Sequence, residues 1–136
     1  MLKKLLLLIA ILPILHSCGE NYSRLPDVAV DEWVYLDIPS NINLQSPGGW
    51  VYINGGIRGI IVYNVNGSKF KAYERSCPHL SPNACTTSNV ENDIIVICPC
   101  DQSRFLLATG EPLDGAPNAL KEYTVFVYDS ELHIVN

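Results

Sequence analysis

Two short stretches of the sequence carry sulfur, nitrogen and carboxylate donors at close spacing. Residues 77–80 read Cys-Pro-His-Leu, and residues 98–101 read Cys-Pro-Cys-Asp. Thiolates combined with an imidazole suit zinc, copper or an iron–sulfur cluster. Zinc sites usually space their paired Cys or His ligands more widely than Cys-x-His. The two stretches therefore predict the halves of a metal centre, with Asp101 standing where a second nitrogen ligand is expected.

Short β-strands must position these two stretches. Asn66-Gly67 lies between two apolar runs and predicts a hairpin, and Asp129-Ser130 predicts a second hairpin at the end of the chain. No amphipathic helix is evident. Runs rich in branched and aromatic residues predict strands at 32–38, 50–53, 60–65, 69–73, 93–97, 123–128 and 131–135. The fold class is therefore all-β and antiparallel, with long irregular stretches at 75–90 and 98–120.

The residues that follow Cys98 extend the metal-site pattern. Cys98-Pro99-Cys100 is followed by Ser103 and Phe105, then by Thr109-Gly110 and 115–117, which read Gly-Ala-Pro. This arrangement resembles the Rieske iron–sulfur proteins, over roughly 26–136. The resemblance implies a Rieske-type antiparallel β sandwich or barrel, with a small cluster-binding subdomain made of two loops. It also implies a 2Fe–2S cluster as the cofactor.

The resemblance also assigns roles to individual residues. In this family two cysteines bind one iron and two histidines bind the other. Cys77 and Cys98 match the cysteine positions and His79 matches one histidine, whereas Asp101 replaces the second histidine and Gln102 replaces a glycine. The remaining implied roles are a disulfide between Cys85 and Cys100, a hydrogen bond from Ser103 to a bridging sulfur, and a cover over the cluster that includes Gly115 and Pro117.

Asp101 leaves three states of the site open. In the first, the Asp101 carboxylate binds iron, and its negative charge lowers the reduction potential of the cluster. In the second, Cys100 is a ligand and Cys85 is left unpaired, which is unfavourable in an oxidising compartment. In the third, no metal binds, Cys77 and Cys98 form a second disulfide, and the chain is a binding or structural module.

The first residues of the chain resemble a bacterial lipoprotein signal. Lys3-Lys4 precedes an apolar run at 5–15, which is too short to span a bilayer as a helix, and Cys18 occupies the position of the lipidated residue. The predicted organisation is a signal peptide at 1–17, a tether at 18–26 and a Rieske-like domain at 27–136. The absence of Asp after Cys18 favours the outer membrane.

Charge and size restrict the function. Without Lys3 and Lys4, seven of the nine Lys and Arg residues remain against fourteen Asp and Glu residues, for a net charge near −7. With no basic cluster, nucleic acid is not expected as a partner. One domain of this length has no room for a separate catalytic domain.

The expected function is electron transfer, with a redox protein as the partner. The expected location is the periplasmic side or the surface of the cell envelope, where the Cys18 lipid attaches the chain to a membrane.

Overall fold

The computed structural model describes residues 25–114 and 116–136. The predicted signal peptide at 1–17, Cys18 and most of the tether at 18–26 lie outside the described residues, and so does Gly115. Among the residues described, no helix is long and apolar enough to cross a bilayer.

The described part of the chain forms ten β-strands and two short 3₁₀ helices. The strands are β1 (Asp31–Tyr35), β2 (Trp50–Ile53), β3 (Ile60–Asn64), β4 (Phe70–Glu74), β5 (Asn89–Glu91), β6 (Ile95–Ile97), β7 (Arg104–Leu106), β8 (Pro112–Asp114), β9 (Glu122–Val127) and β10 (Glu131–Val135). The 3₁₀ helices are Pro39–Gln45 and Ala84–Thr86. The all-β fold class is confirmed.

The strands form two antiparallel sheets. The larger sheet has the order β1-β10-β9-β4-β3-β2, and the smaller has the order β5-β6-β7-β8. Both predicted hairpins are present, because β3 pairs with β4 and β9 pairs with β10. The Asn66 side chain closes the first hairpin, where its Oδ1 accepts hydrogen bonds from the backbone N–H groups of Ser68 and Lys69.

Two apolar cores lie on opposite faces of β3. Ile60 and Val62 are fully buried in the core of the larger sheet. Ile61 is fully buried in a second core, together with the loop residues Cys77 and Cys98 and with residues of the smaller sheet. A strand covered on both faces reads as a continuous apolar run, which is why 60–62 shows no alternation. The second core anchors both cysteine loops.

The structure corrects the predicted elements in three places. Strands β5, β7 and β8 lie inside the stretches predicted to be irregular, and a 3₁₀ helix occupies 39–45, where no element was predicted. The first strand ends at Tyr35, earlier than the predicted end at Ile38. A strand of three residues contains too few positions to display a period of two, so pairing partners, and not local sequence, define these elements.

Candidate functional site

The loop that carries Cys77 begins at the end of β4 and is held by backbone hydrogen bonds. The Cys77 N–H donates to the carbonyl of Thr86 at 2.8 Å, and the Leu80 N–H returns to the carbonyl of Cys77 at 3.3 Å. The Asn83 side chain accepts from the Cys85 N–H and thereby caps the short helix that contains Cys85. The sulfur of Cys77 is consequently presented at a fixed position at the base of the loop.

The loop that carries Cys98 follows β6 without a break. The Cys98 N–H donates to the carbonyl of Ser103, and the Cys98 carbonyl accepts from the Gln102 N–H, both at 2.9 Å. Gln102 has a φ of +61°, in the left-handed region that glycine adopts most easily. The backbone conformation therefore explains why the resembling family has glycine at the position that Gln102 occupies here.

Replacing Gln102 by glycine is expected to stabilise the domain by about 1 kcal/mol, since the left-handed conformation costs a non-glycine residue roughly that much. Urea unfolding checks this, with Gln45→Gly as the control. Gln45 lies within a 3₁₀ helix, so its replacement by glycine is expected to destabilise. A loss of stability in Gln102→Gly would contradict the strain at this position.

The four cysteines of the described chain form two disulfides. Cys77 is joined to Cys98, with 5.9 Å between their Cα atoms, and Cys85 is joined to Cys100, with 5.2 Å between theirs. Cys77 and Cys98 are fully buried, whereas the second pair is partly accessible. Both disulfides connect the same two loops, so each ties the predicted half-sites together.

Removing the disulfide between Cys85 and Cys100 by a double alanine substitution is expected to lower the free energy of unfolding by about 3 kcal/mol. The bond closes a loop of 15 residues, and a loop of that length predicts a stabilisation of this size. Urea unfolding measures the loss, with the exposed Ser81→Ala in the same loop as the control. A loss below about 1 kcal/mol would show that the loops are held together without this bond.

His79 and Asp101 are in direct contact. The Nε2 atom of His79 lies 2.6 Å from Oδ2 of Asp101, and the other carboxylate oxygen accepts from both the N–H and the hydroxyl of Ser103, at 3.0 and 2.7 Å. Partial burial acts to raise the pKa of Asp101, but the hydrogen bonds from His79 and Ser103 outweigh it and lower the pKa to about 2. Asp101 is therefore a carboxylate at neutral pH.

The second nitrogen of His79 has a different environment. The side chain of His79 is only 10% exposed, and its Nδ1 atom is buried with no hydrogen-bond partner among the described residues. A buried polar atom without a partner costs about 1–3 kcal/mol. Because Asp101 occupies the Nε2 side of the ring, Nδ1 is the nitrogen left for a metal.

The structure brings together seven of the predicted site residues, as two disulfide pairs and a group of three polar side chains. A disulfide joins Cys77 to Cys98. Asp101 contacts both His79 and Ser103. The Ser103 hydroxyl, which the resemblance directs to a bridging sulfur, donates here to Asp101. Pro117 is exposed, and Gly115 lies outside the described residues. Ala116, between them, packs against the second core.

The residues fit a 2Fe–2S cluster at three of the four ligand positions. Two buried cysteines lie side by side, and a buried imidazole nitrogen lacks a partner. At the fourth position, both oxygens of Asp101 are engaged by His79 and Ser103. Accordingly, no three His, Cys, Asp or Glu side chains in the described ranges form an open metal-binding group as they stand. Iron would be held here by Cys77 and Cys98 as unpaired thiolates, with the Asp101 carboxylate turned away from His79 and Ser103.

Glu74 is a site residue that the sequence analysis missed. Its carboxylate is fully buried at the end of β4, two residues before the base of the Cys77 loop, and it accepts four hydrogen bonds. The donors are the backbone N–H groups of Ile57, Arg58 and Ser76 and the hydroxyl of Tyr123, at 2.7–2.9 Å. A single glutamate at the end of an apolar strand carries no signal of burial, because its partners come from distant segments.

Comparison with known proteins finds one matching family model and several similar solved structures. A sequence model described as the Rieske [2Fe-2S] domain matches residues 33–126. The ferredoxin of carbazole 1,9a-dioxygenase from Nocardioides aromaticivorans IC177 is 20% identical, with 79% of this chain and 97% of that chain covered and a TM-score of 0.47. The E. coli protein NirD is 14% identical, with 80% and 98% covered and a TM-score of 0.49. No curated protein matches.

Proposed function

Because this chain belongs to the Rieske [2Fe-2S] domain family, in which the domain implies a 2Fe–2S cluster, we propose that it is an electron-transfer protein. Cys77 and Cys98 would bind one iron, and His79 and Asp101 would bind the other. The observation that carries this proposal is the buried Nδ1 atom of His79. It has no hydrogen-bond partner among the described residues, whereas Asp101 holds the other nitrogen of the ring. When bound, the cluster supplies a site that accepts and returns a single electron.

The positions of the two cysteines support their proposed role as ligands of one iron. Cys98 directly follows β6, and Cys77 lies shortly after the end of β4. Both residues are buried in the second core, which also contains Phe105 and Leu107. Reduction of their disulfide leaves two thiols whose Cα atoms are 5.9 Å apart. The disulfide between Cys85 and Cys100 holds the two loops together after that reduction, because it is separate from the ligand pair.

The length of the Asp101 side chain supports its proposed role as the fourth ligand. An Asp carboxylate oxygen and the Nδ1 atom of a His side chain are separated from Cα by the same number of bonds. A carboxylate can therefore take the place of an imidazole that binds through Nδ1, once it gives up its bonds to His79 and Ser103. The negative charge of Asp101 would give a lower reduction potential than two neutral imidazoles.

The proposed cellular role follows from the sequence. Cys18 would carry the lipid after removal of 1–17, and 18–26 would tether the domain to a membrane of the bacterial envelope. The absence of Asp after Cys18 favours the outer membrane, with the domain facing the periplasm or the cell surface. The partner would be a redox protein that meets the two cysteine loops.

The two disulfides support a second candidate function, in which the domain binds no metal. The structure joins Cys77 to Cys98 and engages Asp101 with His79, so the domain is braced without any metal. In this alternative, the chain is a binding or structural module in which two disulfides replace the cluster as the brace. The two candidates differ in iron content and in the number of free thiols.

The two His–Asp pairs of the chain provide a matched test. His79 and His133 each lie 2.6 Å from a carboxylate oxygen, but only His79 belongs to the proposed site. Replacing His79 by alanine is expected to abolish the visible absorption of the cluster and to remove its iron, whereas His133→Ala keeps both. Equal iron content in the two variants would overturn the ligand assignment. Absence of iron from the unsubstituted chain would favour the second candidate.

A further inference from the structure

The larger sheet exposes a group of aromatic side chains far from the cysteine loops. Trp33, Tyr35, Phe126 and Tyr128 are each 46–50% exposed. Contiguous exposed apolar surface is uncommon in soluble domains and marks interaction sites. Aromatic residues are also enriched at protein interfaces. We call this group, together with Glu131 and His133, the aromatic face.

Strand register arranges the aromatic face in two rows across β1, β10 and β9. In one row Trp33 lies opposite His133, which lies opposite Phe126. In the next row Tyr35 lies opposite Glu131, whose carbonyl accepts from the Tyr128 N–H at 2.9 Å. Residues opposite each other in such a ladder present their side chains on the same side of the sheet. Glu131 is therefore flanked by two tyrosines.

Ring stacking makes the aromatic face a preformed surface. The rings of Trp33 and His133 are nearly parallel, with their centroids 4.2 Å apart. The Tyr128 ring also stacks on the Trp33 ring, with 5.7 Å between the two centroids. Asp31 holds the His133 ring through a contact of 2.6 Å. Side chains that are fixed before binding lose little conformational entropy when a partner docks.

Acidic side chains predominate on the three strands of this face, and the cation Lys69 lies at its edge, where it lines a surface pocket with Thr124 and Val127. Strands β1, β9 and β10 contain no lysine or arginine, and the connections at 36–38 and 128–130 add Asp37 and Asp129 without adding a cation. Glu131 and Asp129 form no ion pair with any described residue. Carboxylates set among aromatic rings attract guanidinium and ammonium groups, through charge and through the ring faces. The same charges disfavour a second copy of this acidic chain and an anionic lipid surface.

The aromatic face is separate from the cysteine loops. Ala72 of β4 pairs with Tyr123 of β9, and the strands are antiparallel. The Cys77 loop leaves β4 beyond Glu74, whereas Phe126 and Tyr128 lie in the opposite direction from Tyr123. A partner on the aromatic face would therefore leave the cysteine loops accessible.

We propose that the aromatic face, centred on Glu131, is a docking surface for a protein partner that presents arginine or lysine side chains. The proposal is independent of the cluster, since none of its residues belongs to the cysteine loops. A cationic side chain placed against Glu131 would meet Tyr35 and Tyr128 on either side, and Trp33 would supply the central apolar contact.

A cationic peptide tests this proposal on the whole chain. An octapeptide alternating arginine and glycine is titrated against the protein at low salt, and a matched peptide alternating glutamate and glycine is the control. Glu131→Gln is expected to weaken binding of the arginine peptide about 5-fold, and Trp33→Ala about 10-fold. Glu91→Gln, which removes an exposed carboxylate from the smaller sheet, is expected to change binding less than 2-fold.

Several outcomes would overturn the proposal. Absence of binding at millimolar peptide would do so, and so would equal weakening by Glu131→Gln and Glu91→Gln, which would indicate attraction by net charge alone. A dimer in sedimentation that Trp33→Ala disrupts would identify a second copy as the occupant. Equal binding of the glutamate peptide, or binding to vesicles of phosphatidylcholine and phosphatidylglycerol that needs Trp33, would also exclude a cationic protein partner. Circular dichroism of each variant verifies that the fold is kept.

Discussion

Replacing Glu74 by alanine is expected to lower the free energy of unfolding by about 4 kcal/mol. The substitution removes the acceptor of four hydrogen bonds from a position that is fully buried. Each buried donor left unpaired costs about 1–3 kcal/mol, and water that enters the space recovers part of that. Burial and the Glu74 carboxylate raise the pKa of Tyr123, so its hydroxyl stays protonated and remains one of the stranded donors.

Two further variants make the Glu74 experiment specific. Glu74→Gln keeps the shape of the side chain and one acceptor oxygen, but its amide NH₂ faces other hydrogen-bond donors. We therefore expect it to lower the free energy of unfolding by about half as much as Glu74→Ala. Glu91→Ala removes an exposed carboxylate and is expected to change stability by less than about 0.5 kcal/mol. Urea unfolding measures all three. If Glu74→Ala lowered the free energy of unfolding as little as Glu91→Ala does, the hydrogen bonds of Glu74 would not be what stabilises the contact between β4, β9 and the Cys77 loop.

Replacing Asp101 by histidine is expected to raise the reduction potential of the bound cluster by on the order of 100 mV. The change exchanges an anionic ligand for a neutral one and completes the ligand set that is usual in the family. Because a carboxylate must be deprotonated to bind a metal, the charge difference is present whenever Asp101 is a ligand. Potentiometric titration followed by visible absorption measures the shift.

A nearby carboxylate provides the control for Asp101. Asp114 is about half exposed and is paired with Arg104 at 3.0 Å on the neighbouring strand. Asp114→Asn also removes one negative charge close to the site, but solvent screens that charge, so a much smaller shift is expected. Equal shifts in the two variants would mean that Asp101 acts through its charge at a distance and does not bind iron.

Sequence patterns were sufficient for the fold class and for the residues of the two loops. The hairpin at Asn66-Gly67 and the pair Cys77 and Cys98 were predicted because each carries a local signal, a turn dipeptide or a cysteine at the end of a strand. The predicted fold class and family are confirmed by the sheets and by the match at 33–126.

Contacts between distant segments could not be predicted in the same way. Glu74 is buried only because the turn at 55–59 folds over it, and His79 meets Asp101 only because the two loops are adjacent in space. The row of Trp33, His133 and Phe126 depends on the register of three strands from opposite ends of the sequence. Such features follow from pairing between strands and have no counterpart in local periodicity.

Iron and sulfide analysis tests the central claim most directly. The full chain is produced with intact iron–sulfur assembly, purified without oxygen, and examined for iron, acid-labile sulfide, visible absorption and thiols released on denaturation. A bound 2Fe–2S cluster predicts two irons and two sulfides per chain, a coloured protein, and two free thiols from Cys77 and Cys98, with Cys85 and Cys100 still bonded. A colourless protein without iron, in which all four of these cysteines are bonded, would contradict it.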